Sequence, residues 1–241
     1  MIAFDHVIHY VKDLTHFRFP NDYLSLQEGG RHDTLGTFNY LSYFDLKYIE
    51  FIDIFDQTLV ERASLDEKEY VSFASSLKRI GYQEGFVRMC FRTEDIEILK
   101  HHFNQLGLKT IGPNRMSRTK PDGTVLSWSL LYLEPIEGFD FELPFFIQWG
   151  EPEMEREGQL MPYFQPLDIT DIFILAKDTK QMTQFFEKYL NFEHTEEMLV
   201  KVNSPNIHVM QGDVNKIEHV KIKSELYNDT FKTHGGMYTF Y

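Results

Sequence analysis

His6-Val7-Ile8-His9-Tyr10-Val11-Lys12-Asp13 is an apolar strand that runs into a capping acid, and the same pattern returns twice, at Phe86-Val87-Arg88-Met89-Cys90-Phe91-Arg92-Thr93 and at Asp171-Ile172-Phe173-Ile174-Leu175-Ala176-Lys177-Asp178. A chain that starts over in this way is built from repeated modules. After the second start, Thr93 or Asp95 is placed to cap a helix, and Ile96, Leu99, Phe103 and Leu106 follow at helical spacing before Gly107 ends it. After the third, Asp178 or Thr179 caps a helix carrying Met182, Phe185, Phe186, Tyr189 and Leu190, which stops at Asn191. Apolar or alternating runs then read as strands over 124–133 and 141–149 in the second module, and over 198–202, 207–211 and 217–222 in the third. The unit is a strand, a helix and about three strands, so the class is α+β with repeated βαβββ modules.

The first module is irregular, because Pro20 and the polar residues Asn21 and Asp22 interrupt the helix it should contain. Residues 56–83 read as an insert, with Ser64 or Asp66 capping a helix that runs to Ile80 and stops at Gly81. Residues 151–167 carry charge and proline without periodicity and read as a linker. The division is therefore 1–55 for the first module, 84–150 for the second, the two paired within 1–150, and 168–241 for a third C-terminal βαβββ-like module.

With 241 residues, 42% of them hydrophobic, and 22 Phe, the chain can bury a large core. A net charge of -13 argues against nucleic acid or an anionic membrane as partner, since neutralising phosphates takes clustered Lys and Arg. One cysteine, Cys90, makes no internal disulfide, the start of the chain lacks the form of a signal peptide, and no apolar run is long enough to span a membrane. The expectation is a cytoplasmic protein that binds a small-molecule ligand.

Two polar side chains sit in apolar strands. His6 alternates onto one face with Phe4, Ile8 and Tyr10, and Glu50 shares a face with Tyr48 and Ile52. Buried imidazole and carboxylate groups are costly without partners, so two readings stay open: a hydrogen-bonded pair that staples two strands, or a metal-binding or catalytic pair. Gly29-Gly30-Arg31-His32 lies between them, and two glycines let a backbone approach a ligand closely. Thr37 and Asn39 share one face of the next strand, and Arg88 shares one with Phe86 and Cys90. Arg88 either offers its planar fork to a substrate anion or pairs with an acid such as Glu50. Cys90 reads as core, and His101, His102 and His234 read as surface residues.

Phe4-Asp5-His6-Val7 with Tyr48-Ile49-Glu50-Phe51, set in such modules, resembles the vicinal-oxygen-chelate or glyoxalase-like superfamily. Gly29-Gly30-Arg31-His32, Leu35-Gly36-Thr37-Phe38-Asn39 and Phe145-Phe146-Ile147-Gln148-Trp149 make the glyoxalase-like domain subfamily the closer resemblance. The resemblance implies two modules side by side around a cleft, with a divalent metal (Zn, Ni, Mn or Fe) held by the first and last strands of each. Carried over by position, it implies His6 and Glu50 as ligands from the first module, with Phe86 and Gln148 at the matching places of the second. Phe86 cannot bind a metal. The resemblance further implies a metal-assisted isomerase or lyase acting on a small oxygenated metabolite, with Glu50 or His32 moving a proton and Arg31, Thr37, Asn39, Arg88 and Gln148 contacting substrate. The alternative is a protein that sequesters its ligand without chemistry. A third module with an open sheet would expose strand edges, which predicts a homodimer through 168–241.

Overall fold

The first apolar run forms strand β1 (Ile2–Tyr10), buried along almost its whole length, in a computed structural model that describes residues 2–119 and 125–241. Then come β2 (Gln27–His32), β3 (Thr37–Tyr43) and β4 (Tyr48–Ile54), followed by helices α1 (Gln57–Ala63) and α2 (Phe73–Arg79). The second module comprises β5 (Gly85–Thr93), α3 (Ile96–Gln105), β6 (Thr110–Thr119), β7 (Val125–Leu133) and β8 (Phe145–Trp149). Helix α4 (Glu153–Leu160) leads to β9 (Leu167–Ala176), α5 (Thr179–Leu190), β10 (Glu193–His194), β11 (Leu199–Val200), β12 (Asn206–Gln211), β13 (Lys216–Ser224), β14 (Asp229–Thr233) and β15 (Gly236–Phe240).

Local chemistry sets the helix ends. Asp95 accepts from the Ile98 amide at 2.9 Å and Asp178 from the Gln181 amide at 2.9 Å, so each carboxylate satisfies a donor that the first helical turn leaves open. Asn191 ends α5 in the left-handed region at φ 55. In the first module a single 3-10 turn, Pro20–Asp22, stands where the helix would be. The insert holds two short helices capped by Asp56 and Ser72, not one capped by Ser64 or Asp66. The stretch 151–167, read as a linker, contains α4, whose Arg156 is buried. For the strand expected over 124–133, Thr124 lies outside the described residues and the remainder is β7.

Two sheets result, ordered β2-β3-β4-β1-β5-β8-β7-β6 and β10-β11-β12-β9-β13-β15-β14. In the first, β1 runs parallel to β4 and antiparallel to β5, which joins the two modules edge to edge. The second repeats the plan: β9 is parallel to β12 and antiparallel to β13, and β13 is parallel to β15. Residues 168–241 are thus one full module followed by a shortened one, with a strand fewer and no helix. The open side of β9 is covered by β13, and the seven-stranded sheet keeps β10 and β14 as its edges. One apolar core fills the space between the sheets, with Phe4, Val7, Phe86 and Phe91 from the first and Ile172, Val220 and Tyr238 from the second. A second core lies on the other face of the first sheet, where Phe73, Ala74 and Leu77 of α2 cover Tyr132 and Phe145.

Candidate active site

Pairing between β1 and β5 decides what His6 faces. Phe4 pairs with Phe91 and His6 with Cys90, so Asp5 is an extra residue on β1, and a second irregularity between Val7/Met89 and His9/Phe86 puts an extra residue on β5. Each bulge breaks the simple alternation. Phe4 and Phe86 turn into the core between the sheets, whereas His6 faces a cavity and Arg88 the second core. Phe4 therefore does not share the face of His6, and Phe86 does not share that of Arg88 and Cys90. The matched bulges make Arg88 the counterpart of His6, and the registers Ile8↔Glu50 and Cys90↔Phe145 make Phe145 the counterpart of Glu50. The residues at those two places of the second module are Arg88 and Phe145, not Phe86 and Gln148, and neither side chain is a metal ligand.

His6 and Glu50 come together at the buried end of this cavity. His6 Nε2 stands 3.2 Å from Glu50 Oε2, without hydrogen-bond geometry, and has no other partner. His6 Nδ1 and Asp5 Oδ1 are 2.8 Å apart; a carboxylate can only accept, so Nδ1 carries a proton and Nε2 points at Glu50, with a lone pair in the neutral imidazole and a second proton in the imidazolium. Glu50 Oε1 accepts from Asn39 Nδ2 at 2.6 Å. Asp5 in turn accepts from Trp149 Nε1 at 3.0 Å and lies 3.9 Å from the guanidinium of Arg156, which stacks 4.1 Å above the Trp149 ring. Tyr48 stacks on His6 at 4.5 Å.

Burial opposes charge at all three groups, and their mutual arrangement overcomes it. Against burial, Arg156, His6 and Arg92 hold the Asp5 carboxyl down at about 2. Against burial, His6, His32 and Asn39 hold Glu50 below the usual carboxylate range. Burial alone would lower His6, yet Cys90, Asp5 and Glu50 raise it well above the ordinary histidine value. The two carboxylates carry that direction, because burial pushes the Cys90 thiol up to about 12 and leaves it neutral. Two lone pairs facing each other at 3.2 Å need a proton or a cation between them. Ligand atoms that share one divalent ion at about 2.1 Å stand roughly 3.0 to 3.4 Å apart, so the spacing of His6 Nε2 and Glu50 Oε2 fits both. Asp5, His6 and Cys90 also bring ligand-type atoms within 4.8 Å of one another. Asp5 is engaged by His6, Trp149 and Arg156, so its carboxylate orients the His6 ring.

The cavity encloses about 540 Å³ of empty space, including open solvent at its mouth. Its lining comes from both halves of the sheet: Asn39, Tyr43 and Glu50 from the first module, Arg118, Trp128 and Trp149 from the second. His32 also lines it, with Nδ1 3.0 Å from Thr37 Oγ1. Burial keeps His32 below the ordinary histidine value, although Glu50 pulls it upward. The glycine pair has a steric task. A Cβ on Gly29 would lie 2.1 Å from Asn39 Oδ1, and one on Gly30, at φ +146, would lie 2.1 Å from Arg118 Nη1.

Several expected contacts fall elsewhere. Arg31 is exposed and stacks on Phe55 at 3.6 Å, outside the cavity. Thr37 is fully buried and acts through His32. Arg88 donates to the carbonyls of Leu143 and Val71, both at 2.7 Å, and fastens α2 to the second module instead of reading substrate or pairing with Glu50. Gln148 accepts from the Ile96 amide at 2.9 Å, capping α3 on the opposite face, while Trp149 lines the cavity. Cys90 is buried as expected, but His234 is half-buried against Glu84 at 2.7 Å, not a free surface residue. Sequence reasoning missed Asp5, Arg118 and Arg156. Asp5 beside His6 in an apolar strand was an available signal, whereas Arg118 lies on a strand that was not recognised.

Comparison with known proteins bears on this geometry. The model of the glyoxalase-like domain matches residues 4–190. The crystal structure of a hypothetical protein from Staphylococcus aureus superposes with a TM-score of 0.95 at 29% identity, over 100% of this chain and 99% of that one. Methylmalonyl-CoA epimerase from Mycobacterium tuberculosis gives 0.41 at 14% identity, over 64% and 91%. The Mn(II)-bound glyoxalase from Novosphingobium aromaticivorans gives 0.49 at 12% identity, over 92% and 65%. No curated protein matches. Among the described residues no helix is long and apolar enough to cross a membrane. The family match over most of the chain, on a sheet whose first strands bring His6 and Glu50 together, identifies the chain as a member of the glyoxalase-like domain family of the vicinal-oxygen-chelate superfamily.

Proposed function

We propose that the cavity is the active site of a metal-assisted isomerase or lyase acting on a small oxygenated compound. The observation that carries the reading is the unpartnered, buried Nε2 of His6 facing Glu50 Oε2 at 3.2 Å. His6 and Glu50 would hold the divalent ion, Asp5 fixing the tautomer of His6 and Asn39 the rotamer of Glu50. Such an ion supplies Lewis-acid polarisation of a carbonyl oxygen. His32 is the proton carrier: Thr37 occupies its Nδ1, so Nε2 is left for a ligand, and its lowered pKa keeps it neutral and able to accept. It takes the proton from a carbon beside the carbonyl and returns it at the neighbouring atom, which balances without a co-reactant. The aromatic lining keeps water from the reacting atoms.

A second reading, a binding protein without chemistry, is favoured by the second module, where Arg88 and Phe145 take the ligand places. Manganese titration of metal-stripped protein separates the two. Stoichiometric Mn(II) binding that is lost in His6→Ala and in Glu50→Gln, together with metal-dependent turnover lost in His32→Gln, supports the enzyme. Tight ligand binding that ignores metal, with substrate returned unchanged, supports the binder.

A further inference from the structure

We infer that Arg118 makes this cavity a site for monocarboxylates with an aromatic body. The inference rests on reading the cavity as the ligand site, but not on its holding a metal. Arg118 projects from β6, one edge of the eight-stranded sheet, and its guanidinium lies against Gly30 of β2, the other edge. The close approach requires glycine: φ at Gly30 is +146, and a Cβ there would meet Nη1 at 2.1 Å. The curled sheet is thus joined across the cavity by a cation seated on bare backbone.

Three other arginines around the first sheet are matched to acids, Arg79 with Glu142, Arg92 with Glu153 and Arg156 with Asp5, and the buried Arg88 is matched to the carbonyls of Leu143 and Val71. Among the described residues, no carboxylate lies within ion-pairing distance of Arg118. The Glu50 charge does not fill the role, because it is held by His6 and Asn39. A guanidinium half-shielded by apolar walls has shed part of its hydration, and a ligand carboxylate restores it through two parallel charge-assisted hydrogen bonds. One cation balances one negative charge, so a monocarboxylate fits better than a dianionic phosphate inside an acidic protein. Trp128, Trp149, Tyr43 and Phe73 supply flat apolar surface for the rest of the ligand.

The chain has two tryptophans, and both line this cavity, so intrinsic fluorescence reports occupancy directly. Metal-stripped protein is titrated with phenylglyoxylate, with its neutral amide and with phenylphosphonate. The expected result is at least about ten-fold tighter binding of the carboxylate than of the amide. Arg118→Gln should bring the two together, and Arg118→Lys, which keeps the charge without the fork, should retain a smaller preference. Equal binding of acid and amide by the wild type, an unchanged preference in Arg118→Gln, or a phosphonate that binds more tightly than the carboxylate overturns the inference. Failure of the wild type to bind Mn(II) overturns the metal reading alone and leaves the carboxylate preference standing.

Discussion

Acid should loosen this fold through His9. His9 is fully buried between the sheets, with Nε2 2.8 Å from the His234 carbonyl and Nδ1 2.6 Å from the Tyr238 hydroxyl. A carbonyl only accepts, so the proton is on Nε2 and Nδ1 accepts from Tyr238. Burial against Phe51 and Phe86 lowers His9 from 6.5 to about 4, with Glu84 and the His234 carbonyl opposing and the His234 side chain assisting. In the unfolded chain the residue takes up its proton near 6.5; in the folded chain it does so only near 4. Between those values the unfolded state binds more protons, so stability is fully present above pH 6.5 and falls as pH falls. At 1.36 kcal/mol per pH unit, the loss from this group is about 2 kcal/mol between pH 7 and pH 5, and about 3 kcal/mol by pH 4. The perturbation is His9→Gln, whose amide can donate to the His234 carbonyl and accept from Tyr238 without titrating. Urea unfolding at pH 7 and pH 5, followed by tryptophan fluorescence, should show the wild type losing about 2 kcal/mol more than the variant. Parallel losses in the two proteins would refute the reasoning, since every other group is common to both.

Three further outcomes follow from the same packing. Asp5→Asn keeps an acceptor for His6 Nδ1 but removes the charge, and Mn(II) affinity measured by calorimetry should fall about 10- to 100-fold. Gly29→Ala places a Cβ 2.1 Å from Asn39 Oδ1, so Asn39 must leave Glu50; Mn(II) binding should weaken more than the melting temperature falls. Arg88→Ala strands the buried carbonyls of Val71 and Leu143 and should cost about 2 to 5 kcal/mol in urea unfolding, with the preference for carboxylate over amide unchanged.

What the sequence made legible was whatever depends on neighbours within a few positions. Helices α3 and α5, with Asp95 and Asp178 as caps, follow from local spacing and hydrogen-bond chemistry. The approach of His6 to Glu50 was legible because both interrupt apolar strands. Faces set by pairing were not, since the bulges in β1 and β5 exist only in the register between the two strands. That one-residue uncertainty inverted Phe4 and Phe86, and in β8 the face of Gln148 is the one against α3, not the cavity. Strand β6 went unrecognised because Gly112-Pro113 and the charged Arg115 and Arg118 break the apolar signal, and with it went Arg118. The fourth, shortened module was hidden because no helix separates β13 from β14.

The matched bulges also explain why only one half of the sheet presents an imidazole and a carboxylate as a pair to the cavity. At equivalent points of β1 and β5, the same backbone device aims His6 into the cavity and Arg88 at the insert. Arg88 is buried there by α2, and its hydrogen bonds to Val71, Leu143 and Ser76 occupy the place a second histidine would need. Phe145, at the Glu50 position, packs against Phe73 of the same helix at 6.1 Å. Arg88→His would therefore not rebuild a four-ligand centre: its imidazole is too short to reach both carbonyls, and α2 stands over the gap. Gaining ligands on that side would require removing the insert, which also supplies Phe73 to the cavity wall. The asymmetry belongs to the architecture, since the surface that would complete a symmetric metal site is the surface on which the insert is seated.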